Sequence, residues 1–423
     1  MWAVENHKKY QNTKFVKAYY LTPVVFLMTV PFLATCGNKY ARIPLIDIDH
    51  PSEFIDLKIS DIMEDISVVP LETRDGLLLN LWTSFIVTTD YILARTEEGL
   101  LQFDRQGNFL KILAFRGNGP NEYIDLLWPL VDEKREILYF SQYRDREAIG
   151  GINLKTGVFI EPFRHNLSYF HPQVIDSKGY IFGFRPEIVS GPFRDSSVHS
   201  NEWSSILAYR YHPQENEITI IKGSHKIEGG YTSLAYGNSV MFNRNDNIFF
   251  LLPNYSDTLF RIDGSQIVPQ YIFKLKNKMA GPRVGGGGRA VLVHAAGQQG
   301  ILFSKTEIMI TERKAGTEAL VTLFLDNKNN LSIVNALTTD LFGPTFKLNY
   351  KVERDGHMVT LSRVPIVTGM FAYLVMDPVE LLPVIQQTLN DNNIDSNRRT
   401  QIGKLIAHLD EYSNPVLIIG KIK

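Results

Sequence analysis

The chain is built on a recurring hairpin. Its fullest copy is residues 99–123, GLLQFDRQGNFLKILAFRGNGPNEY. That stretch is a strand, a tight turn at Asp104-Arg105-Gln106-Gly107, a second strand and a Gly/Pro-rich exit. Leu101 and Phe103 lead into the turn, and Phe109, Ile112 and Phe115 follow it, while the glycine can take the positive φ a tight hairpin needs. Weaker copies run down the chain. A first series of turns falls at Thr89-Asp90, 132–135, 176–179, 245–247, 304–306 and Asp355-Gly356. Counted from residues 90, 134, 178, 246, 306 and 356, the turns are spaced 44 to 68 residues apart. A second series interleaves with it at 104–107, 155–157, 213–216, Asp263-Gly264 and 326–330. Two interleaved series imply four-stranded antiparallel units, and six turns in the first series imply six of them. The expected fold is therefore all-β, a six-bladed β-propeller.

The longer intervals locate insertions at residues 186–203 and 276–299, the second holding four consecutive glycines at 285–288. Both read as long loops on one face of the disc, where binding residues sit on a rigid scaffold. The sixth unit lacks a second turn, and residues 377–412 read as two helices instead. Asp377 caps the first, Pro378 takes its first position and Glu380 follows at capping-box spacing. Ser396 is expected to cap the second, whose Ile402, Leu405, Ile406 and Leu409 form one apolar stripe for packing on the propeller. Residues 414–420, NPVLIIG, make a terminal strand that needs a sheet. Pairing with the 54–71 segment would close the ring and remove its free edges.

The single cysteine marks a location. Lys8, Lys9, Lys14 and Lys17 precede an apolar run from 18 to 35, broken by Pro23 and Pro31, and then comes Leu33-Ala34-Thr35-Cys36-Gly37. A basic stretch, an apolar stretch and small residues before a cleavage point make a lipoprotein-type signal of residues 1–35. Cys36 becomes the lipidated first residue, although Thr35 departs from the usual Gly, Ala or Ser before it. Residues 36–53 then read as a linker and 54–423 as the propeller. No acidic residue stands in Gly37-Asn38-Lys39-Tyr40.

Four pieces occur in order: 59–62 (ISDI) through 69–73 (VPLET), 117–123 (GNGPNEY), 256–262 (SDTLFRI) and 414–417 (NPVL). Together they resemble the six-bladed β-propeller lipoproteins of gut Bacteroidetes, distantly related to NHL-repeat propellers. The resemblance covers essentially all of the mature chain. It implies a cell-envelope protein that binds a glycan or a peptide, with no settled activity. Members exported to the outer surface often carry acidic residues after the lipid cysteine, so this chain is expected to face the periplasm.

Chemistry-bearing motifs are sparse. With 44 basic and 45 acidic residues the chain has no basic excess for nucleic acid. The stretch 281–288, GPRVGGGG, lacks the Lys and Ser/Thr of a phosphate loop. No HExxH, HxH or Cys/His cluster and no GxSxG elbow occurs, so no metal, cofactor or catalytic residue is expected, with a channel calcium left open. In 117–123, Gly117, Gly119 and Pro120 have the conformational demands of a blade-to-blade crossover, with Glu122 bonding backbone amides there. The competing reading turns Glu122 and Tyr123 toward a ligand. The candidate binding set is Tyr143, Arg144, Arg146, Arg185, Arg194, Trp203, Arg210, Arg244 and Tyr255. Aromatic faces suit sugar C–H surfaces, and arginines suit hydroxyls and carboxylates. The expected function is a non-catalytic binding module for a carbohydrate or peptide. The alternatives are a glycan lyase or hydrolase in the channel and a docking scaffold for other envelope proteins.

Overall fold

The structure, a computed structural model, describes residues 43–48, 50–81, 83–119, 121–142, 145–164, 171–187, 204–227, 240–244, 247–251, 258–274, 291–296, 300–308, 318–339, 341–342, 346–347, 349–354, 357–362, 365–390, 394, 396–407 and 409–423. The chain first lays down β1 (Leu45–Asp47) and β2 (Glu53–Lys58), makes one helical turn, α1 (Ile59–Ile62), and enters β3 (Met63–Pro70). Blade 1 is β4 (Ser84–Val87), β5 (Tyr91–Arg95), β6 (Gly99–Asp104) and β7 (Phe109–Arg116), with β8 (Glu122–Tyr123) parallel on its outer edge. Blade 2 is β9 (Leu127–Asp132), β10 (Ile137–Gln142), β11 (Asp145–Asn153) and β12 (Phe159–Arg164). Blade 3 is β13 (His171–Ile175), β14 (Ile181–Glu187), β15 (Ser204–His212) and β16 (Glu217–Ile227).

Blade 4 is β17 (Val240–Arg244), β18 (Asn247–Leu251), β19 (Thr258–Asp263) and β20 (Gln266–Lys274). Blade 5 is β21 (Val291–Ala296), β22 (Gly300–Ile308), β23 (Glu318–Asp326) and β24 (Leu331–Thr339), with β25 (Phe346–Lys347) on β24. A separate hairpin, β26 (Asn349–Arg354) and β27 (His357–Ser362), precedes blade 6. Blade 6 starts with β28 (Ile366–Thr368) and β29 (Phe371–Met376). The helices α2 (Pro378–Leu389) and α3 (Ser396–Ile406) follow, and then β30 (Val416–Ile422). Its outermost strand is β3, so the sheet order is β28-β29-β30-β3.

The inner strands β9, β13, β17, β21 and β28 succeed one another in contact, and β29 reaches β4. That sequence of contacts is the ring. Strand periodicity explains the core: side chains alternate between a blade's two faces, and each face meets a neighbouring blade. Phe140 therefore packs toward blade 1 with Leu93, Leu100 and Tyr123. Tyr139, one residue earlier, packs toward blade 3 with Ile181, Tyr209 and Tyr211. Burying each such side chain contributes about 1.5–3 kcal/mol, so the seams between blades are where the fold is stabilised.

Closure concentrates at the seam of blades 6 and 1. β30 pairs antiparallel with β3 from Met63↔Ile422 to Pro70↔Val416, as the two terminal stretches imply. Asn414, just before β30, is 1% exposed and spends its whole side chain on the crossing segment. Its Nδ2 donates to the carbonyls of Glu72 (2.7 Å) and Leu77 (2.8 Å), and its Oδ1 accepts from the Leu79 amide (2.7 Å). The Tyr373 hydroxyl accepts from the Phe85 amide (3.1 Å), tying blade 6 to the inner strand of blade 1. Gly107 carries φ +91° and lies against the Pro70 carbonyl, where a Cβ would collide with backbone, so the blade 1 hairpin requires glycine there.

Four expectations need correction. Residues 304–306 are not a turn: β22 runs through them, paired with β23 from Gly300↔Asp326 to Ile308↔Glu318. Ser-Lys-Thr is polar enough to read as a turn but sits comfortably in a paired strand. Asp355-Gly356, outside the described residues, joins β26 to β27, and that hairpin lies outside the blades. The blade 6 inner turn is instead Gly369-Met370, with Gly369 at φ +61°. The stretch read as linker up to residue 53 already contains β1, parallel to β20, and β2 then covers β24 in parallel. Lastly, α3 already includes Ser396, one residue earlier than a capping role allows. For α2, Asp377 does cap, accepting from the Val379 amide at 3.0 Å. Leu381, Ile385 and Ile402 of the helical pair are buried with Leu302 and Phe324 of blade 5 and Ala372 of blade 6.

Asn414→Ala should cost about 3 kcal/mol, because it orphans two buried carbonyls and an amide at the closing seam. Urea unfolding of the variant measures this. A loss below about 0.5 kcal/mol, the usual spread for an ordinary surface change, would contradict the role.

Candidate functional site

The antiparallel order makes the two ends of the ring unlike. Connections from first to second and from third to fourth strands emerge at one end, and they are short: 88–90, 133–136, 176–180, 105–108, 213–216 and 327–330 among them. The other connections emerge at the opposite end. They include 188–203, 228–239, 275–290 and 309–317, all outside the described residues, and the helical pair of blade 6. Short turns at the first end are fixed by their own side chains. Asp104 Oδ1 accepts from the amides of Gln106 and Asn108 (both 2.9 Å), and Asp326 does the same for Lys328 and Asn330 (both 2.8 Å).

The structure divides the candidate set. Tyr143, Arg144, Arg194, Trp203 and Tyr255 lie outside the described residues. Arg146 near the start of β11 and Arg185 near the end of β14 have their backbones at the end opposite the short turns. Arg210 and Arg244 do not join them: they fall near the ends of β15 and β17 that lead into short turns. The Arg210 guanidinium stacks 4.7 Å from the Tyr180 ring and donates to Thr219 Oγ1 at 3.4 Å. Sequence places residues near loops but gives no strand polarity, so it could not separate the two ends.

A described polar group does assemble at the long-loop end, in the seam of blades 1 and 2. Arg95 ends β5 and donates through Nη1 to the Leu126 carbonyl (2.9 Å). Arg116 ends β7; its Nε donates to the Ile124 carbonyl (3.1 Å), and its Nη2 is 3.7 Å from Asp125 Oδ1. Between them runs the 117–123 loop. The Gly119 amide donates to Glu122 Oε2 (2.7 Å), and the Gly117 amide donates to the Tyr123 carbonyl (2.9 Å). A Cβ on Gly117 would collide with that same Glu122 carboxylate, so glycine lets the acid fold back over the loop. Pro120 lies outside the described residues.

Tyr123 lies fully buried beneath, its ring edge-on to Phe140 at 6.5 Å. Its hydroxyl has no hydrogen-bond partner. Burial pushes the phenol up, while the positive charges of Arg95 and Arg116 pull it down. Trp128, half-buried at the start of β9, has φ +49°, a conformation that costs a bulky residue about 1–3 kcal/mol. The strand bulges there: the register with β10 shifts between Tyr139 and Ser141. Sequence reasoning singled out none of Arg95, Arg116 and Trp128. The backbone strain leaves no trace in residue type.

The short-turn end carries its own charged group. Both Glu133 oxygens accept from the Thr89 amide (3.2 and 3.0 Å), joining the inner turns of blades 2 and 1. Burial pushes the Glu133 carboxyl above its ordinary value of 4.5, and the Thr89 bonds oppose the shift. Arg105 stacks 4.8 Å from the Phe371 ring. Among the described residues no group of three or more His, Cys, Asp or Glu side chains could hold a metal ion, and no helix is long and apolar enough to cross a membrane.

Gly117→Ala should displace Glu122 from the Gly119 amide, costing about 1 kcal/mol, and the cost should vanish in a Glu122→Ala background. A double-mutant cycle by urea unfolding reads the coupling, and additive effects would show that the loop does not depend on the acid. For Glu133 the raised value means the folded state holds its proton longer, so its contribution falls as pH rises from 4.5 through the folded pKa. Relative to Glu133→Gln, the wild type should lose stability as the pH rises above 4.5 through the folded pKa. A difference independent of pH would contradict that placement.

Solved structures similar to this chain share little sequence with it. A candidate exported protein from Bacteroides fragilis is 15% identical, covering 88% of this chain and 99% of its own, with a TM-score of 0.49. A member of the DUF4221 family from Bacteroides vulgatus is 11% identical over 86% of this chain and 97% of its own, with a TM-score of 0.44. The β-propeller domain of the Trilobed protease from Pyrococcus furiosus is 8% identical over 71% and 90%, with a TM-score of 0.33. No curated protein matches the sequence. A family profile does match, over residues 43–421, and the chain therefore belongs to the family described as Domain of unknown function, DUF4934.

Proposed function

We propose that this chain is a non-catalytic binding module of the bacterial cell envelope, holding a carbohydrate or a peptide on the long-loop end of the propeller. The observation that carries the reading is the difference between the two ends. One is closed by short turns that bond to themselves; the other gathers the long connections, the helical pair and the Arg95–Arg116–Tyr123 group. A rigid ring presenting variable connections from one side is how a scaffold holds a ligand. A lipid on Cys36 would tether the ring to the membrane, with the propeller facing the periplasm.

A docking scaffold is favoured by a different observation. Leu78 is 74% and Tyr412 77% exposed, and they flank the Asn414 clamp at the seam of blades 6 and 1. Large, largely exposed side chains near one seam suit a protein partner. Catalysis has less support, because the described carboxyls with shifted values, such as Glu133 and Asp326, belong to the short turns.

A thermal-shift screen against oligosaccharides and short peptides tests the binding reading, with products followed by mass spectrometry. A ligand at about 100 times its Kd should add roughly 2.7 kcal/mol of stability. Replacing residues 188–203 with a short Gly/Ser link should abolish or weaken that shift while the unliganded midpoint stays put. Cleaved ligand would overturn the non-catalytic reading. For the tether, Cys36→Ala should move the protein from the membrane to the soluble fraction and end fatty-acid labelling; unchanged membrane association would contradict lipid anchoring.

A further inference from the structure

The N-terminal strap joins the ring with an apolar side turned outward. Register fixes β1 beside the last part of β20, with Leu45↔Ile272, Ile46↔Phe273 and Asp47↔Lys274. The Pro44 carbonyl accepts from the Ile272 amide (3.0 Å), and Lys274 Nζ donates to Asp47 Oδ2 (2.9 Å). Alternation along the strand then sorts the side chains. Ile46 and Ile48 are buried with Phe249 and Leu259 of blade 4 and Leu323 of blade 5, so the strap is held in the seam. Ile43 and Leu45, of the opposite parity, are 37% and 60% exposed. Two apolar side chains therefore face away from the blades at the point where the chain enters the fold.

The chain before the strap limits what can cover that side. Ile43 stands seven residues after Cys36, and seven fully extended residues reach at most about 25 Å. The residues between, Gly37-Asn38-Lys39-Tyr40-Ala41-Arg42, include two cations and an aromatic and no acid. Tyrosine favours the headgroup level of a bilayer, and basic side chains are attracted to anionic headgroups. We infer that the outward side of the strap, Ile43 and Leu45, is a docking surface for a bilayer with anionic headgroups, so that the rim of blade 4 rests on the membrane. The inference rests on the reading of Cys36 as lipid-bearing. A lipid chain and a basic, apolar patch together hold a protein on a bilayer more firmly than either alone. β1 runs parallel to β20, so its N-terminal end points toward the short-turn end of the ring. Seated this way, the propeller keeps its long-loop end open to a ligand.

Fluorescence quenching in reconstituted vesicles tests the docking. The chain has one cysteine, so once lipid occupies Cys36 an introduced thiol is labelled alone. The full lipidated chain carries the probe at Leu45→Cys or at Leu110→Cys, an exposed position on the outer strand of blade 1, three blades away. The vesicles contain phosphatidylethanolamine, phosphatidylglycerol and a doxyl-labelled lipid. Quenching at 45 should exceed that at 110 by about threefold or more. The excess should survive insertion of about 20 Gly/Ser residues after Gly37, because the strap itself holds the surface. In that lengthened chain, Ile43→Asp should bring the probe at 45 down to the level of the probe at 110. Equal quenching at 45 and 110 would overturn the inference and leave the lipid on Cys36 standing. Loss of the excess on insertion would mean proximity imposed by the tether alone, and the docking surface would fall. An unchanged excess in Ile43→Asp would contradict the role of the apolar pair. Energy transfer between copies labelled at 45, without quenching by lipid, would give the face to a second copy instead. No fatty-acid label on Cys36 would remove the tether and this inference together.

Discussion

The fold depends on one antiparallel pairing, β30 on β3. A propeller is a ring of sheets, each stabilised chiefly by apolar contact with its neighbours, and a ring open at one seam would expose two blade faces at once. Here the N-terminal strand supplies the outer edge of the last blade, so neither end of the propeller can leave without breaking the sheet. The surroundings reinforce the join. Asn414 bonds to Glu72, Leu77 and Leu79, and Glu72 accepts from the Phe109 amide (2.7 Å), so the segment leaving β3 is fastened to the blade 1 hairpin. The hydrogen bond from the Phe109 amide, and then that from the Arg74 guanidinium, hold the Glu72 carboxyl below its ordinary value. Before it reaches the seam, the chain also runs beside β20 of blade 4 and β24 of blade 5 as β1 and β2.

A closed ring frees one end for change. The short-turn end is fixed by aspartate-capped turns and by Glu133 bridging blades 1 and 2, and its connections have little room to vary. The connections at the other end span more residues, and the helical pair of blade 6 is among them. The helical pair shows how far this goes: it replaces a simple turn in blade 6 and still buries Leu381, Ile385 and Ile402 against blades 5 and 6. The 117–123 loop is the described crossover at that end where polar groups gather over an unpaired buried hydroxyl.

Much of the architecture was legible in residue order. The turns at 104–107, 155–157, 213–216, 263–264 and 326–330 all separate third from fourth strands, because Asp, Asn and Gly there serve backbone geometry that little else can serve. Closure by 414–420 was legible because an apolar terminal strand needs an edge. What failed did so for physical reasons. Ser304-Lys305-Thr306 looked like a turn because polarity and strand pairing are independent, and the β26–β27 hairpin has the turn chemistry of a blade without joining one. The candidate site was less legible still. Arg210 and Arg244 fall at the short-turn end, apart from Arg146 and Arg185, because residue type carries no strand polarity, and the positive φ of Trp128 is likewise not revealed by its identity.

Hydrogen exchange of the native protein, resolved along the sequence, tests the closing seam most directly. If β3 and β30 hold the ring, the amides of Ile418 and Ile419 should exchange only through global unfolding, with the same free energy as the most protected amides of blade 1. Exchange of β3 and β30 well ahead of the blades, by local opening, would show that the ring stands without its clasp and would contradict the account.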